Sequence, residues 1–184
     1  MNREFQSLML KFARAVLKNR LMGLSENIEK YNLLEFKEKR GLFVTLMKNN
    51  KLRGCIGRIE AEESIFNNIK HLSIAAAFND PRFEPVKSTE LDDIKIEISI
   101  LTVPESIKGD SNFEKISQIR PNVDGVILKA GGREATFQPQ VWDNVPLIDD
   151  FISELSRKAG LTKDYWRDNQ IDLSVYQVIH FSEN

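Results

Sequence analysis

The chain has 184 residues, of which 29 % are charged and 41 % hydrophobic, with a net charge of -1. That balance excludes disorder and offers no general attraction to phosphate backbones or anionic lipid. One cysteine and two histidines exclude an internal disulfide and a Cys/His zinc site. No run approaches the roughly 20 apolar residues of a membrane span, the first residues lack a signal-peptide core, and no cofactor motif is present, so a reducing, cytoplasmic setting is expected.

Apolar residues at Phe5, Leu8, Met9, Phe12, Ala13, Val16, Leu17 and Leu21 predict a helix over 3–22 with one stripe packed on the protein's own sheet, ended by Gly23. Residues 25–40 are charged and irregular, with Ser25 as a cap for a short helical piece. Residues 41–48 read as a strand, Asn49-Asn50 as a two-residue hairpin turn, and 52–59 as the returning strand. A second helix over 62–78 is capped by Ser64 and carries His71 off its apolar stripe, a surface position with no chemical role.

The segment Asn79-Asp80-Pro81-Arg82-Phe83-Glu84-Pro85-Val86 is a stiff loop, because its prolines forbid helix and favour extended backbone. Residues 90–103 alternate isoleucines with polar residues, the pattern of a strand with one buried face. A short helical piece around Phe113, Ile116 and Ile119 follows, then strands over 126–130 and 134–141 joined at Gly131-Gly132. Pro139 confines the second of these to an edge or a strand end and leaves Gln138 and Gln140 on one face, able to bond a ligand or water. A helix over 146–160 and a closing strand over 173–181 complete the chain, whose length suits one domain or two small lobes sharing an interface.

The candidate site is Leu52-Arg53-Gly54-Cys55-Ile56-Gly57. Strand alternation puts Arg53 and Cys55 on one face, and a two-residue hairpin loop puts Cys55 opposite Val44 and Arg53 opposite Leu46. A cation beside a thiol favours the nucleophilic thiolate; a lone cysteine among aliphatic residues is equally a buried, inert small hydrophobe. Gly54 and Gly57 allow a ligand or another backbone to come close. Asp80 and Arg82 form either a local pair that shapes a turn or a fixed guanidinium fork for an anion.

With this motif, then Ala75-Ala76-Ala77-Phe78-Asn79-Asp80-Pro81-Arg82-Phe83-Glu84-Pro85-Val86 and Phe137-Gln138-Pro139-Gln140-Val141, the chain resembles the AMMECR-type domain, called protein A of the AmmeMemoRadiSam system in prokaryotes. The likeness covers nearly the whole of residues 1–184 as a single domain. It implies an α+β fold of two unequal lobes, each an antiparallel sheet with helices, the larger using both chain ends, with residues 52–57 facing a cleft between them. It further implies a modification pathway shared with radical S-adenosylmethionine and Memo-like proteins as partners. Two functions are expected: a binding module for a small molecule, nucleotide or partner, with Arg53, Gly54, Gly57, Asp80, Arg82, Gln138 and Gln140 at its site, or a small enzyme with Cys55 as a covalent nucleophile on an anionic substrate.

Overall fold

The computed structural model describes residues 2–183. Helix α1 (Arg3–Met22) begins where the Asn2 side chain accepts from the Phe5 amide and ends at Gly23, whose φ of 64° is the left-handed cap that lets the chain turn away. Its apolar stripe buries Met9, Phe12, Ala13, Val16 and Leu17. Two 3-10 turns, Ile28–Tyr31 and Leu34–Lys37, follow; the first is capped by Asn27, so the expected Ser25 cap lies two residues early. Strand β1 (Leu42–Lys48) and strand β2 (Lys51–Arg58) form the expected hairpin, with Asn49 and Asn50 at φ 51° and 58°. Such angles match the right-handed twist of the flanking strands.

Helix α2 (Ile65–Phe78) is capped by Ser64, whose side chain accepts from the Asn67 amide. A 3-10 turn, Ser88–Asp93, precedes strand β3 (Ile94–Leu101) and takes up residues expected to be extended. Strand β4 (Glu105–Ser106), helix α3 (Asn112–Ser117), strand β5 (Gly125–Ala130) and strand β6 (Arg133–Phe137) come next. A 3-10 turn, Pro139–Asp143, then leads to helix α4 (Ile148–Lys158), helix α5 (Tyr165–Asp168), strand β7 (Asp172–Tyr176) and strand β8 (Val178–Ser182).

The fold is α+β with two antiparallel sheets, ordered β2-β1-β3-β8 and β4-β7-β5-β6. The single closing strand expected over 173–181 is two strands in two sheets. They part at Gln177, whose backbone is taken by Thr102: its amide donates to Thr102 Oγ1 and its carbonyl accepts from the Thr102 amide.

The chain divides into two compact units, Met1–Leu101 with Ile179–Asn184, and Thr102–Val178. The first is built on Leu42, Val44, Leu46, Ile96, Ile98 and Ile100, all buried on one sheet face against α1 and α2. Phe12 of α1 stacks on Phe66 of α2 at 4.7 Å and 7°. The C-terminal end is locked by Glu183, which accepts from Arg14 and from the Ile96 amide. The second unit centres on Trp142 and Trp166: Trp142 stacks on Phe151 at 3.6 Å, and Trp166 Nε1 donates to Ser153 Oγ at 3.0 Å. No helix of the described residues is long and apolar enough to cross a membrane.

Candidate functional site

Pairing of β1 with β2 is regular from Lys48↔Lys51 to Met47↔Leu52, then jumps to Leu46↔Gly54, leaving Arg53 as the extra residue of a β-bulge. The jump moves every later pair by one. Cys55 therefore stands opposite Thr45, not Val44, and Gly54 takes the place expected for Arg53 opposite Leu46. Gly54, next to the bulge, is the one local sign of it, and strand alternation applied to 52–57 alone misses it.

The bulged Arg53 serves neighbours other than the thiol. Its Nε and Nη2 donate to the two carboxylate oxygens of Glu90 at 3.2 and 3.0 Å, and its Nη1 donates to the Glu84 carbonyl at 2.8 Å. Glu90 also accepts from Lys48 Nζ and the Lys87 amide, both at 3.0 Å. This shell, led by the Arg53 guanidinium, holds the Glu90 pKa down to about 2. No hydrogen bond or ion pair joins Arg53 to Cys55 among the described residues.

Asp80 and Arg82 meet the same strand from its free edge. Asp80 Oδ2 accepts the Cys55 amide at 2.8 Å while Arg82 Nη2 donates to the Cys55 carbonyl at 3.3 Å. The pair thereby gives one residue of an edge strand the partners that a further strand would supply. Arg82 also grips both Asp80 oxygens, at 2.9 and 2.6 Å. That guanidinium first, then the Cys55 and Arg82 amides, hold the buried carboxyl well below the usual carboxylate range. Loop 80–84 is thus stapled to β2 at Cys55 and, through Glu84, at Arg53. The Arg82 side chain keeps 54 % of its exposure, and it is the cation at the Cys55 backbone.

Both motif glycines are accounted for by this protein's own atoms. A Cβ at Gly54 would lie 2.1 Å from the Ala76 carbonyl oxygen of α2, and one at Gly57 would lie 2.1 Å from the Phe43 ring. Gly54 therefore lets α2 settle on β2, and Gly57 makes room for Phe43.

On the sheet face away from α2, register aligns Cys55, Thr45 and Glu97 in one row and Gly57, Phe43 and Ser99 in the next. Thr45 Oγ1 lies 3.2 Å from Cys55 Sγ, and Ser99 Oγ lies 3.2 Å from His180 Nδ1. Cys55, Thr45 and Glu97 are half-buried. The Glu97 carboxylate has no hydrogen-bond or ion-pair partner among the described residues. No local motif marks Thr45, Glu97, Ser99 or His180, although Glu97 and Ser99 alternate with Ile96, Ile98 and Ile100 and so face away from the core. The other histidine, His71, is exposed, with Nδ1 3.0 Å from Glu63 Oε2. Among the described residues no three His, Cys, Asp or Glu side chains form a metal-binding group.

Gln138 and Gln140 belong to the second unit. Strand β6 ends at Phe137, and Pro139 opens the 3-10 turn instead of continuing an extended edge; a fixed φ and a missing N–H suit a first helical position. The two glutamines are therefore not alternate residues of a strand face, and Gln140 lines a hollow with Asn122, Pro139 and Asp143.

The family model named AMMECR1 matches residues 10–181. The chain belongs to the AMMECR1 family. Among relatives within it or close to it, a protein of Methanothermobacter thermautotrophicus is 37 % identical over 183 residues, covering 96 % of this chain and 93 % of that protein. Protein MJ0810 of Methanocaldococcus jannaschii is 36 % identical, covering 95 % and 88 % of the two chains. The crystal structure of Uncharacterized Protein PH0010 from Pyrococcus horikoshii superposes with a TM-score of 0.90 at 31 % identity, covering all of this chain and 94 % of that one. The fold of this AMMECR1 chain is thus similar to one seen by crystallography.

Proposed function

We propose that the chain is a binding module whose site is the polar row Cys55, Thr45 and Glu97, with Arg82 at its margin. The observation that carries this reading is the strand order β2-β1-β3-β8. With about 4.8 Å between neighbouring strands, it sets His180 on β8 roughly 14 Å from Cys55 on β2. A general base must come within about 3 Å of the proton it takes, so the imidazole cannot serve the thiol. What the row offers is a set of fixed groups on a rigid sheet: a hydroxyl, a thiol and an unpartnered carboxylate able to receive the N–H or O–H donors of a small molecule or peptide. Resemblance to the AmmeMemoRadiSam protein supports a place in a modification pathway, with the module presenting its ligand to radical S-adenosylmethionine or Memo-like partners.

A second reading keeps Cys55 as a covalent nucleophile on an anionic substrate, favoured by the Thr45 hydroxyl against Sγ and by Arg82 beside the Cys55 backbone. Native mass spectrometry of the protein purified from its own cells separates the two. The binding reading expects a noncovalent small molecule retained by the wild type and by Cys55→Ser but lost from Glu97→Gln. An adduct on Cys55, absent from Cys55→Ser, would establish the nucleophile instead.

A further inference from the structure

The edge of a sheet presents a row of unpaired N–H and C=O groups that invites another strand, and folded proteins guard it with short strands, bulges, charges or a covering loop. Among the described residues, three of the four edges of the two sheets are guarded in this way. Strand β2 has its bulge at Arg53 and the Asp80–Arg82 cap on the Cys55 backbone. Strand β6 begins with charged Arg133 and Glu134 and gives its Thr136 carbonyl to Lys158, and β4 is two residues long. Strand β8 has none of these devices. Its Val-Ile-His-Phe-Ser run holds no proline, lysine or carboxylate, and it keeps one register on β3, with Glu183 bonded to Ile96 and His180 to Ser99.

That register fixes where the free groups point. The Glu183 amide donates to the Ile96 carbonyl at 3.0 Å, so antiparallel alternation turns the N–H and C=O of Ser182 and His180 away from β3. Both residues are exposed, and no loop or side chain of the described residues takes these groups. Beside them lies a hollow of about 300 Å³, walled on one side by Phe181 and Ser182 and on the other by the first turns of α1 at Arg3, Leu10 and Lys11. Leu10 and Phe181 are buried and give it an apolar floor. Its charge is one-sided: Glu183, the one carboxylate in the lining, is committed to Arg14 and the Ile96 amide, whereas Arg3 and Lys11 are exposed and have no hydrogen-bond or ion-pair partner among the described residues.

We propose that β8 is a docking edge for an extended acidic segment of a partner protein, which adds as a fifth strand beyond β8 and lies along the first turns of α1. The main chain carries the recognition, through the N–H and C=O of His180 and Ser182, whose directions the sheet already sets. Alternate side chains of the added strand meet Leu10 and Phe181, and the charge of Arg3 and Lys11 favours glutamate or aspartate over lysine or arginine in it. The inference stands apart from the reading of the Cys55 row, because it uses the outer edge of β8 and none of the groups of that row.

The test is amide hydrogen exchange of the full chain, followed by nuclear magnetic resonance, with a capped octapeptide of alternating glutamate and threonine as the probe. The peptide should slow exchange of the His180 and Ser182 amides in a saturable way. The same peptide with its backbone amides methylated keeps the side chains but has no N–H donors, and it should not bind. A lysine-threonine octapeptide should bind about ten-fold more weakly or worse. Ser182→Pro removes an outward N–H that no strand of this protein uses, a place where an edge strand tolerates proline, so the variant should keep its melting temperature and lose peptide binding about ten-fold or more. Unchanged exchange with the acidic peptide, equal binding of the methylated or the lysine peptide, or full binding by Ser182→Pro would each overturn the proposal. So would protection of the two amides that grows with protein concentration in the absence of peptide, the mark of a second copy on this edge.

Discussion

Replacing Glu90 by Gln tests how the bulged strand is held. The wild-type carboxylate receives Arg53 at two points, Lys48 Nζ and the Lys87 amide, and Arg53 above all takes its pKa from 4.5 down to about 2. At about 1.4 kcal/mol per unit of pKa, the drop corresponds to roughly 3 kcal/mol. Allowing for solvent screening of a side chain that keeps 17 % of its exposure, about 2 kcal/mol is a fair figure. Because the folded value lies below the unfolded one, this stabilisation is complete above about pH 4.5 and disappears as pH falls toward 2. Gln has the same shape without the charge. Urea unfolding should therefore show Glu90→Gln less stable than wild type by about 2 kcal/mol at pH 7, with less than half of that gap left at pH 3. Equal gaps at both pH values, or none at pH 7, would refute the assignment of Glu90 as the anion that fixes Arg53.

Three further substitutions probe the frame of the two units. Gly54→Ala forces a Cβ to within 2.1 Å of the Ala76 carbonyl oxygen, a wall of backbone; a loss of about 2–3 kcal/mol, seen as a melting temperature lower by roughly 4–12 °C, is expected, and an unchanged melt would contradict the packing of α2 on β2. Asn50→Gly suits the φ of 58° at the hairpin turn better than asparagine does, so thermal melts should show a gain of about 0.5 kcal/mol; a loss would mean that the turn is of another type. Trp142→Phe keeps an aromatic ring against Phe151 but leaves the buried Asp124 carbonyl without its indole donor, which should cost about 1–2 kcal/mol in denaturant unfolding; no cost would show that the turn before Asp124 and the 3-10 turn at Trp142 are not held through this bond.

What could be read from the chain before its fold was known follows the range of the physics involved. Helices α1 and α2 and the hairpin are written locally, in an apolar period of 3.6, in Ser64 and Gly23 at helix ends, and in two asparagines that accept positive φ. The alternation Ile94 to Ile100 fixes which side of β3 is core, and by the same token puts Glu97 and Ser99 on the other side.

Features that depend on a distant partner were not legible. Gly54 inside the strand is compatible with a bulge, but it does not say that Arg53 is the residue out of register, whose partner is a carboxylate 37 residues later. The role of Asp80 and Arg82 is equally invisible locally: the two readings of the pair, turn former or anion fork, omit the edge of β2, which only the tertiary fold brings to them. Gln177 looks like one residue of a continuous strand until Thr102, 75 positions earlier, claims its backbone.

The physical consequence bears on function. A motif of one arginine, one thiol and two glycines suggests a reaction centre when taken alone, yet each of these residues is met by a neighbour: Arg53 by Glu90, Gly54 by Ala76, Gly57 by Phe43 and the Cys55 thiol by the Thr45 hydroxyl. The Cys55 backbone itself is bonded by Asp80 and Arg82. Glu97, in the same row across Thr45, is half-buried and has no hydrogen-bond or ion-pair partner among the described residues, and it is the group on which the proposed binding role turns.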